Sequence, residues 1–170
     1  MSDRAHSDSA LVQFSERLTS SAAFGNLFRE GMDLVEETAA YLDGVGRTEA
    51  KALERSVSLT YATESMRLTT RLMQMASWLL LHRAVKEGEM TLTQASREKT
   101  KVKLSAADPG PTDTIDKLPQ QLQDLIARSM SLQERVRRLD STIHSPPPER
   151  AAIGNPLVPQ LNRLKAAFER

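Results

Sequence analysis

The stretch formed by residues 56–85 constrains the fold more than any other part of the chain, because its apolar residues form two stripes on a helical wheel. The first stripe consists of Val57, Tyr61, Leu68, Leu72, Met75 and Leu79. The second stripe consists of Leu59, Ala62, Met66, Met73, Ala76, Leu80 and Ala84, and it lies about 135° further round the helix. A helix that is apolar on two sides needs a neighbour on each side. We therefore predict a central helix of a bundle, in which the substitution Met73→Asp would bury an unpaired charge and strongly destabilise the fold.

The C-terminal end of this stretch is apolar on almost every side. Trp78, Leu81 and Val85 add a third apolar sector, and residues 72–81 read LMQMASWLLL. A membrane-spanning helix needs about 20 apolar residues, so this run predicts burial within protein. Two interpretations remain open: the end is covered by its own domain, or Trp78, Leu81 and Val85 form a surface that binds a second copy or another partner.

Two further long helices are predicted beside the central one. The first covers residues 21–43, with an apolar face opposite an acidic one, and the third covers residues 119–144. Apolar positions of the third helix repeat at intervals of four and three residues, as in a coiled-coil seam with Ser129 as its single polar member. Its basic residues, among them Arg135, complement the acidic face of the first helix. The central helix is expected at about residues 48–87, either continuous from Thr48 or bent near Arg55.

These patterns predict an all-α fold, a three-helix up-down-up bundle over residues 20–144 that forms a dimer. Residues 1–19 are expected to be a flexible arm, and residues 104–118, which are rich in Pro, Gly and Asp, a linker. The basic segment 97–103 is interpreted as a solvated face or linker. Residues 145–170 follow a Pro-Pro-Pro stop and are predicted to be a disordered tail.

The tail nevertheless contains apolar residues at helical spacing. They are Leu157, Leu161, Leu164 and Phe168. A segment of about eleven residues is too short to form a stable helix alone, but it can fold against an apolar groove. We therefore treat these four residues as a candidate binding segment.

Composition and charge exclude several classes of protein. The chain has 170 residues, a net charge of +1 and no cysteine, which removes disulfides and cysteine nucleophiles. The N-terminal residues lack the apolar run of a signal peptide, so a cytoplasmic location is expected. The balanced charge and the length of the helices give no indication of nucleic-acid or membrane binding.

The sequence also offers no recognisable catalytic or cofactor site. It contains no GxGxxG motif, no P-loop and no GxSxG motif. The three histidines, His6, His82 and His144, lie in a tail and at helix ends, so no metal site is predicted. Glu64 interrupts the first stripe, and with Arg67 and Arg71 it is interpreted as a structural ion pair.

Several long strings resemble one known family closely. They are LFREGM at residues 27–32, VEETAAYLD at 35–43, ESMRLTTRLM at 64–73, ASWLL at 76–80 and GEM at 88–90. In these strings the chain is similar to the regulator of CtrA degradation family, which comprises adaptors of the ClpXP protease in bacterial cell-cycle control. The likeness is strong over residues 20–103, looser in the third helix and weak in the tail.

The resemblance implies a dimeric helical-bundle adaptor with no catalytic activity and no cofactor. Family members work after a response-regulator-like protein has primed the ClpX unfoldase, and they connect it to cargo. Cargo binds directly or through a cyclic-di-GMP-binding protein that presents CtrA. The alternative left open by the residues is a helical dimeric scaffold without a protease connection.

Overall fold

The computed structural model describes residues 21–99 and 112–144, and all regular secondary structure in these two ranges is helical. The long helices are α1 (Ala22–Asp43), α3 (Arg55–Lys86) and α6 (Gln120–His144). Three shorter helices connect them: α2 (Val45–Ala52), α4 (Leu92–Lys99) and α5 (Thr112–Ile115). The predicted all-α bundle class is confirmed. The arm, the tail and most of the expected linker lie outside the described residues.

Contacts between side chains fix the direction of each long helix. Phe24, near the start of α1, packs on Trp78, near the end of α3, with 6.4 Å between ring centroids, so α1 and α3 are antiparallel. Arg71 donates to Ser129 at 2.7 Å, and the Trp78 indole N–H donates to Asp140 at 2.8 Å. Residue numbers thus rise together along α3 and α6, which therefore run parallel.

The predicted up-down-up order is wrong for the third helix, which runs down. The reason is the length of the connection after α3. Its first helix, α4, lies beside the end of α3 and α6, where Lys99 pairs with Asp140. Its last helix, α5, lies at the start of α3, where Thr60 donates to Thr114 at 3.1 Å. The connection therefore begins at one end of the bundle and finishes at the other, and α6 starts from the same end as α3.

The core is formed by the first stripe and by the apolar faces of α1 and α6. Among its fully buried members are Leu68, Leu79, Leu122 and Leu132. The outer helices also meet each other, because Arg128 and Arg135 of α6 pair with Glu37 and Glu30 of α1 at 2.7 Å. The predicted complement between the acidic and basic faces is therefore present.

Helix α3 does not continue from α2, which settles the question left open near residue 55. The chain leaves helical geometry at Leu53 and Glu54 and enters α3 at Arg55. Gly46 of α2 lies against the end of α1, where an added Cβ would come within 2.6 Å of the Tyr61 hydroxyl oxygen and 2.7 Å of the Tyr41 carbonyl oxygen. Only glycine fits this close approach.

Helix α4 is anchored at both ends. Its start is a capping box, in which Gln94 N–H donates to Thr91 Oγ1 at 3.1 Å and Thr91 N–H donates to Gln94 Oε1 at 2.9 Å. Ala95 is completely buried, and Lys99 lies 2.6 Å from Asp140 Oδ2. In the described part of the basic segment, Arg97 and Glu98 are exposed, in agreement with its interpretation as a solvated face, whereas Lys99 is half-buried against the bundle.

Candidate functional site

The second stripe of α3 is the main apolar surface that the described residues leave open. Its four large members are Leu59, Met66, Met73 and Leu80, which are 71%, 72%, 66% and 52% exposed. The prediction that this stripe is buried is wrong. Since α1 and α6 contact each other, the three helices form a triangle, and both neighbours of α3 lie within a sector of about 60°. The first stripe fills that sector, and no described helix covers the second.

The second stripe has the spacing of a coiled-coil seam. Its large residues recur every seven positions, and small residues, Ala62, Thr69 and Ala76, lie between them. Large residues separated by small ones produce knobs and holes that fit another helix. The stripe is therefore shaped for helix-to-helix packing.

Three hydroxyl groups along this side of α3 are already satisfied within the helix. Thr63, Thr69 and Ser77 each donate to the carbonyl oxygen four residues earlier, at distances of 3.0, 2.9 and 2.8 Å. Burying a polar group is costly only when it lacks a hydrogen-bond partner. A helix can thus dock on this face without supplying polar partners for these hydroxyls.

The residues predicted to form a partner surface at the end of α3 are placed differently. Trp78 is completely buried, between Phe24 and the ring of His82, which stacks on it at 3.9 Å. This contradicts the placement of Trp78 on a partner surface. Leu81 and Val85 are half-buried at the same end. The apolar surplus of α3 lies on the second stripe instead.

Glu64, Arg67 and Arg71 lie along the inner side of α3. Arg67 donates to Glu64 Oε1 at 2.7 Å, and the carboxylate is almost fully buried. Arg71 is also buried and donates to Ser129, whose hydroxyl in turn donates to the Ile126 carbonyl at 2.7 Å. Burial lowers the pKa of Arg71, whereas the charge of Glu64 raises it. The polar position in the seam of α6 is thus the acceptor for a buried guanidinium group.

A second polar cluster, formed by His82, Lys99, Asp140 and His144, lies at the Trp78 end. Asp140 accepts from the Trp78 indole and pairs with Lys99, while His82 Nδ1 lies 2.9 Å from the Trp78 carbonyl oxygen. Burial lowers the pKa of His82 to about 4, so its ring is neutral at pH 7. The sequence analysis missed this cluster, although Asp140 and His144 are spaced i, i+4 and share a helix face.

The candidate tail segment, Leu157, Leu161, Leu164 and Phe168, lies outside the described residues, and so does His6. Within the described part of the chain, no helix has the length and apolar character required to span a bilayer. The features available for function are therefore the second stripe and the polar cluster at the Trp78 end.

Comparison with known proteins identifies one family and one similar crystal structure. The sequence matches the family described as protein of unknown function DUF1465 over residues 15–168. It is also similar to the crystal structure of RcdA from Caulobacter crescentus CB15, with 50% sequence identity and a TM-score of 0.62. The similarity covers 75% of this chain and 96% of the RcdA chain. No curated protein matches the sequence significantly.

An all-helical bundle with an exposed apolar helix face is typical of proteins that act by binding other proteins. The chain belongs to the DUF1465 family and, as the resemblance in its sequence predicted, to the regulator of CtrA degradation family.

Proposed function

We propose that this protein is a non-enzymatic adaptor that connects the ClpXP protease to cargo and thereby promotes regulated degradation of a cell-cycle transcription regulator. A response-regulator-like factor primes ClpX in this scheme, and a cyclic-di-GMP-binding protein presents CtrA as one cargo. The identity with RcdA supports the pathway. The observation that carries a binding function is the exposed second stripe, along which the hydroxyls of Thr63, Thr69 and Ser77 are already hydrogen-bonded within the helix.

Reconstituted proteolysis tests the adaptor role. Purified ClpX, ClpP, the priming factor and CtrA with its cyclic-di-GMP-binding partner are incubated with and without this protein, and the remaining CtrA is measured over time. We expect faster loss of CtrA only when both the priming factor and this protein are present. Equal rates with and without this protein would favour the alternative, a helical scaffold with no protease connection.

The occupant that we propose for the second stripe is a second copy of this chain. The stripe is nearly symmetric about the Thr69–Thr70 peptide bond, since Met66 and Met73 are equidistant from it, as are Leu59 and Leu80. An antiparallel pair of α3 helices related by a two-fold axis therefore places Met66 against the partner copy's Met73. A two-fold interface requires a self-complementary surface of this kind, and the hydroxyls of Thr63, Thr69 and Ser77 already have partners within the helix.

Charge substitutions test both the dimer and its register. Light scattering of the full chain at tens of micromolar is expected to give twice the chain mass. Met66→Glu and Met73→Lys should each weaken the dimer, because each puts a charge against a methionine. The double variant should recover it, since opposite charges then meet across the axis.

A parallel pair would place like charges together in the double variant and weaken association further, so this result would contradict the antiparallel register. Met130→Glu is the matched control, because Met130 is 44% exposed on α6, away from the stripe, and this variant should remain dimeric. A monomeric wild-type chain would overturn the dimer proposal.

A further inference from the structure

Three side chains that could bind a metal ion converge at the Trp78 end of the bundle. They are His82 from α3 and Asp140 and His144 from α6, each with one ligand atom within 4.8 Å of those of the other two. Two imidazoles and one carboxylate form a donor set typical of zinc sites. The proposed adaptor activity does not use this cluster.

His82 is oriented as a metal ligand. Its Nδ1 lies 2.9 Å from the Trp78 carbonyl oxygen, and because a carbonyl only accepts, Nδ1 carries the proton. Nε2 therefore carries a lone pair, and it is buried without a hydrogen-bond partner. The side chain is completely inaccessible to solvent. Histidines that ligate metals usually fix their second nitrogen on a carbonyl or carboxylate in this way.

His144 places a second buried imidazole nitrogen beside the same carboxylate, from α6. Its Nδ1 lies 3.3 Å from the hydroxyl of Ser96, and its Nε2 is buried without a hydrogen bond, 3.5 Å from Asp140 Oδ1. The rings of His82 and His144 meet edge to face with centroids 5.7 Å apart. Two buried imidazole nitrogens without hydrogen bonds thus lie beside one carboxylate.

Lys99 is the cation with which a metal ion would compete for the Asp140 carboxylate. Its ammonium lies 2.6 Å from Asp140 Oδ2, while the Trp78 indole N–H donates to Oδ1. The indole keeps Asp140 oriented in either state. Lys99 is the last residue of α4 and its side chain is 25% exposed, so its long side chain can turn into solvent.

We propose that His82 Nε2, His144 Nε2 and Asp140 bind a zinc ion, with water as the fourth ligand, and that the ion displaces the ammonium of Lys99. Zinc bonds of about 2.0 Å place tetrahedral ligands about 3.3 Å apart, so the ligand atoms, which lie within 4.8 Å of one another, need to approach by at most about 1.5 Å through side-chain rotation. Burial keeps His82 neutral at pH 7, the form that ligates a metal.

Because zinc replaces the ion pair between Lys99 and Asp140, binding removes one contact between the end of α4 and α6, while the contact between Ser96 and His144 remains. The competition between zinc and Lys99 has a testable consequence: removing the lysine ammonium must strengthen zinc binding.

Calorimetric titration of the full chain, without an affinity tag, tests the site. ZnCl₂ is expected to bind with one ion per chain, whereas MgCl₂ should give no comparable heat, because magnesium prefers oxygen ligands. His144→Gln should weaken zinc binding at least tenfold. His6→Gln is the matched control among the three histidines and should bind like the wild type. Circular dichroism verifies that each variant is folded.

The variant Lys99→Met distinguishes the proposed site from zinc binding elsewhere on the surface, because zinc bound elsewhere would not respond to this substitution. It removes the competing ammonium while preserving the length of the side chain, so the zinc affinity should rise at least threefold. The absence of saturable zinc binding by the wild type, or binding that His144→Gln leaves unchanged, would overturn the site. An affinity that Lys99→Met lowers or leaves unchanged would overturn the displacement of Lys99.

Discussion

At the scale of single residues, two polar positions inside the bundle have defined partners that the sequence pattern alone did not reveal. Ser129 accepts from Arg71, and Asp140 joins Trp78 to Lys99. His82 differs from these, because it is completely buried with one nitrogen lacking a hydrogen bond. Such a group makes stability depend on pH.

Acidification is expected to destabilise the metal-free protein through His82. Burial is the main cause that lowers its pKa from an ordinary value of 6.5 to about 4. The charges of His144 and Lys99 also lower this pKa, whereas the Trp78 carbonyl and Asp140 raise it. In the unfolded chain, His82 binds a proton as the pH falls below 6.5, whereas in the folded chain it stays neutral until the pH approaches 4. The free energy of unfolding should therefore fall by about 3 kcal/mol between pH 6.5 and pH 4.

Urea denaturation with EDTA present measures this fall. In His82→Gln, which has no titratable group at this position, the loss between pH 6.5 and pH 4.5 should be smaller. A wild-type profile that is flat across this range would contradict the assigned protonation of His82.

Two glycines of α1 give a matched pair of substitutions. An added Cβ at Gly31 would lie 2.5 Å from Leu79 Cδ1 in the core, whereas at Gly25 it would meet nothing within 4 Å. Gly25→Ala should raise the free energy of unfolding by up to about 1 kcal/mol, because alanine favours the helix. Gly31→Ala should lower it by about 1–3 kcal/mol through overpacking. Thermal melts that rank the two variants in the opposite order would show that the core accommodates the methyl group.

At the scale of elements, the central helix has one buried side and one open side. The first stripe contacts both α1 and α6, which leaves the second stripe exposed. The apolar residues of α3 therefore have two different roles: those of the first stripe form the core, and those of the second stripe form the proposed dimer surface. A substitution on the second stripe should affect only association.

Met73→Asp is expected to leave the monomer almost as stable as the wild type. Met73 is 66% exposed, and substitutions at exposed sites usually change the free energy of unfolding by less than about 0.5 kcal/mol. The wild type should melt at a higher temperature as its concentration rises, because association stabilises it, and Met73→Asp should lose this dependence. Met130→Asp should retain it. A large loss of stability in Met73→Asp at low concentration would show that the stripe is buried within one chain.

At the scale of the whole molecule, the described bundle is joined to segments that lie outside the described residues. From the sequence we hypothesise that the tail segment, Leu157, Leu161, Leu164 and Phe168, binds partners rather than contributing to the fold. A tethered segment reaches an effective concentration of order millimolar, so it can compete for a groove even with weak affinity.

Removal of residues 146–170 should therefore leave the melting temperature nearly unchanged and alter partner affinity or cargo selection in the proteolysis assay. The pair Leu161→Asp and Leu164→Asp should act like the truncation, since it removes the apolar face and keeps the chain length. A truncated protein that binds each partner and delivers each cargo as the full chain does would contradict this role.

The amino-acid sequence by itself determined the helical class, the inward position of the first stripe and the family, because each is recorded in local periodicity or in long strings of residues. It could not determine which apolar stripe is covered, since that depends on where α1 and α6 sit around α3. Because α1 and α6 contact each other, the three long helices pack as a triangle in which the second stripe of α3 stays exposed. The tertiary structure also decided the direction of α6, because a long connection can return to either end of a bundle. For the same reason only the fold could bring His82 of α3 beside Asp140 and His144 of α6, residues that are far apart in the chain.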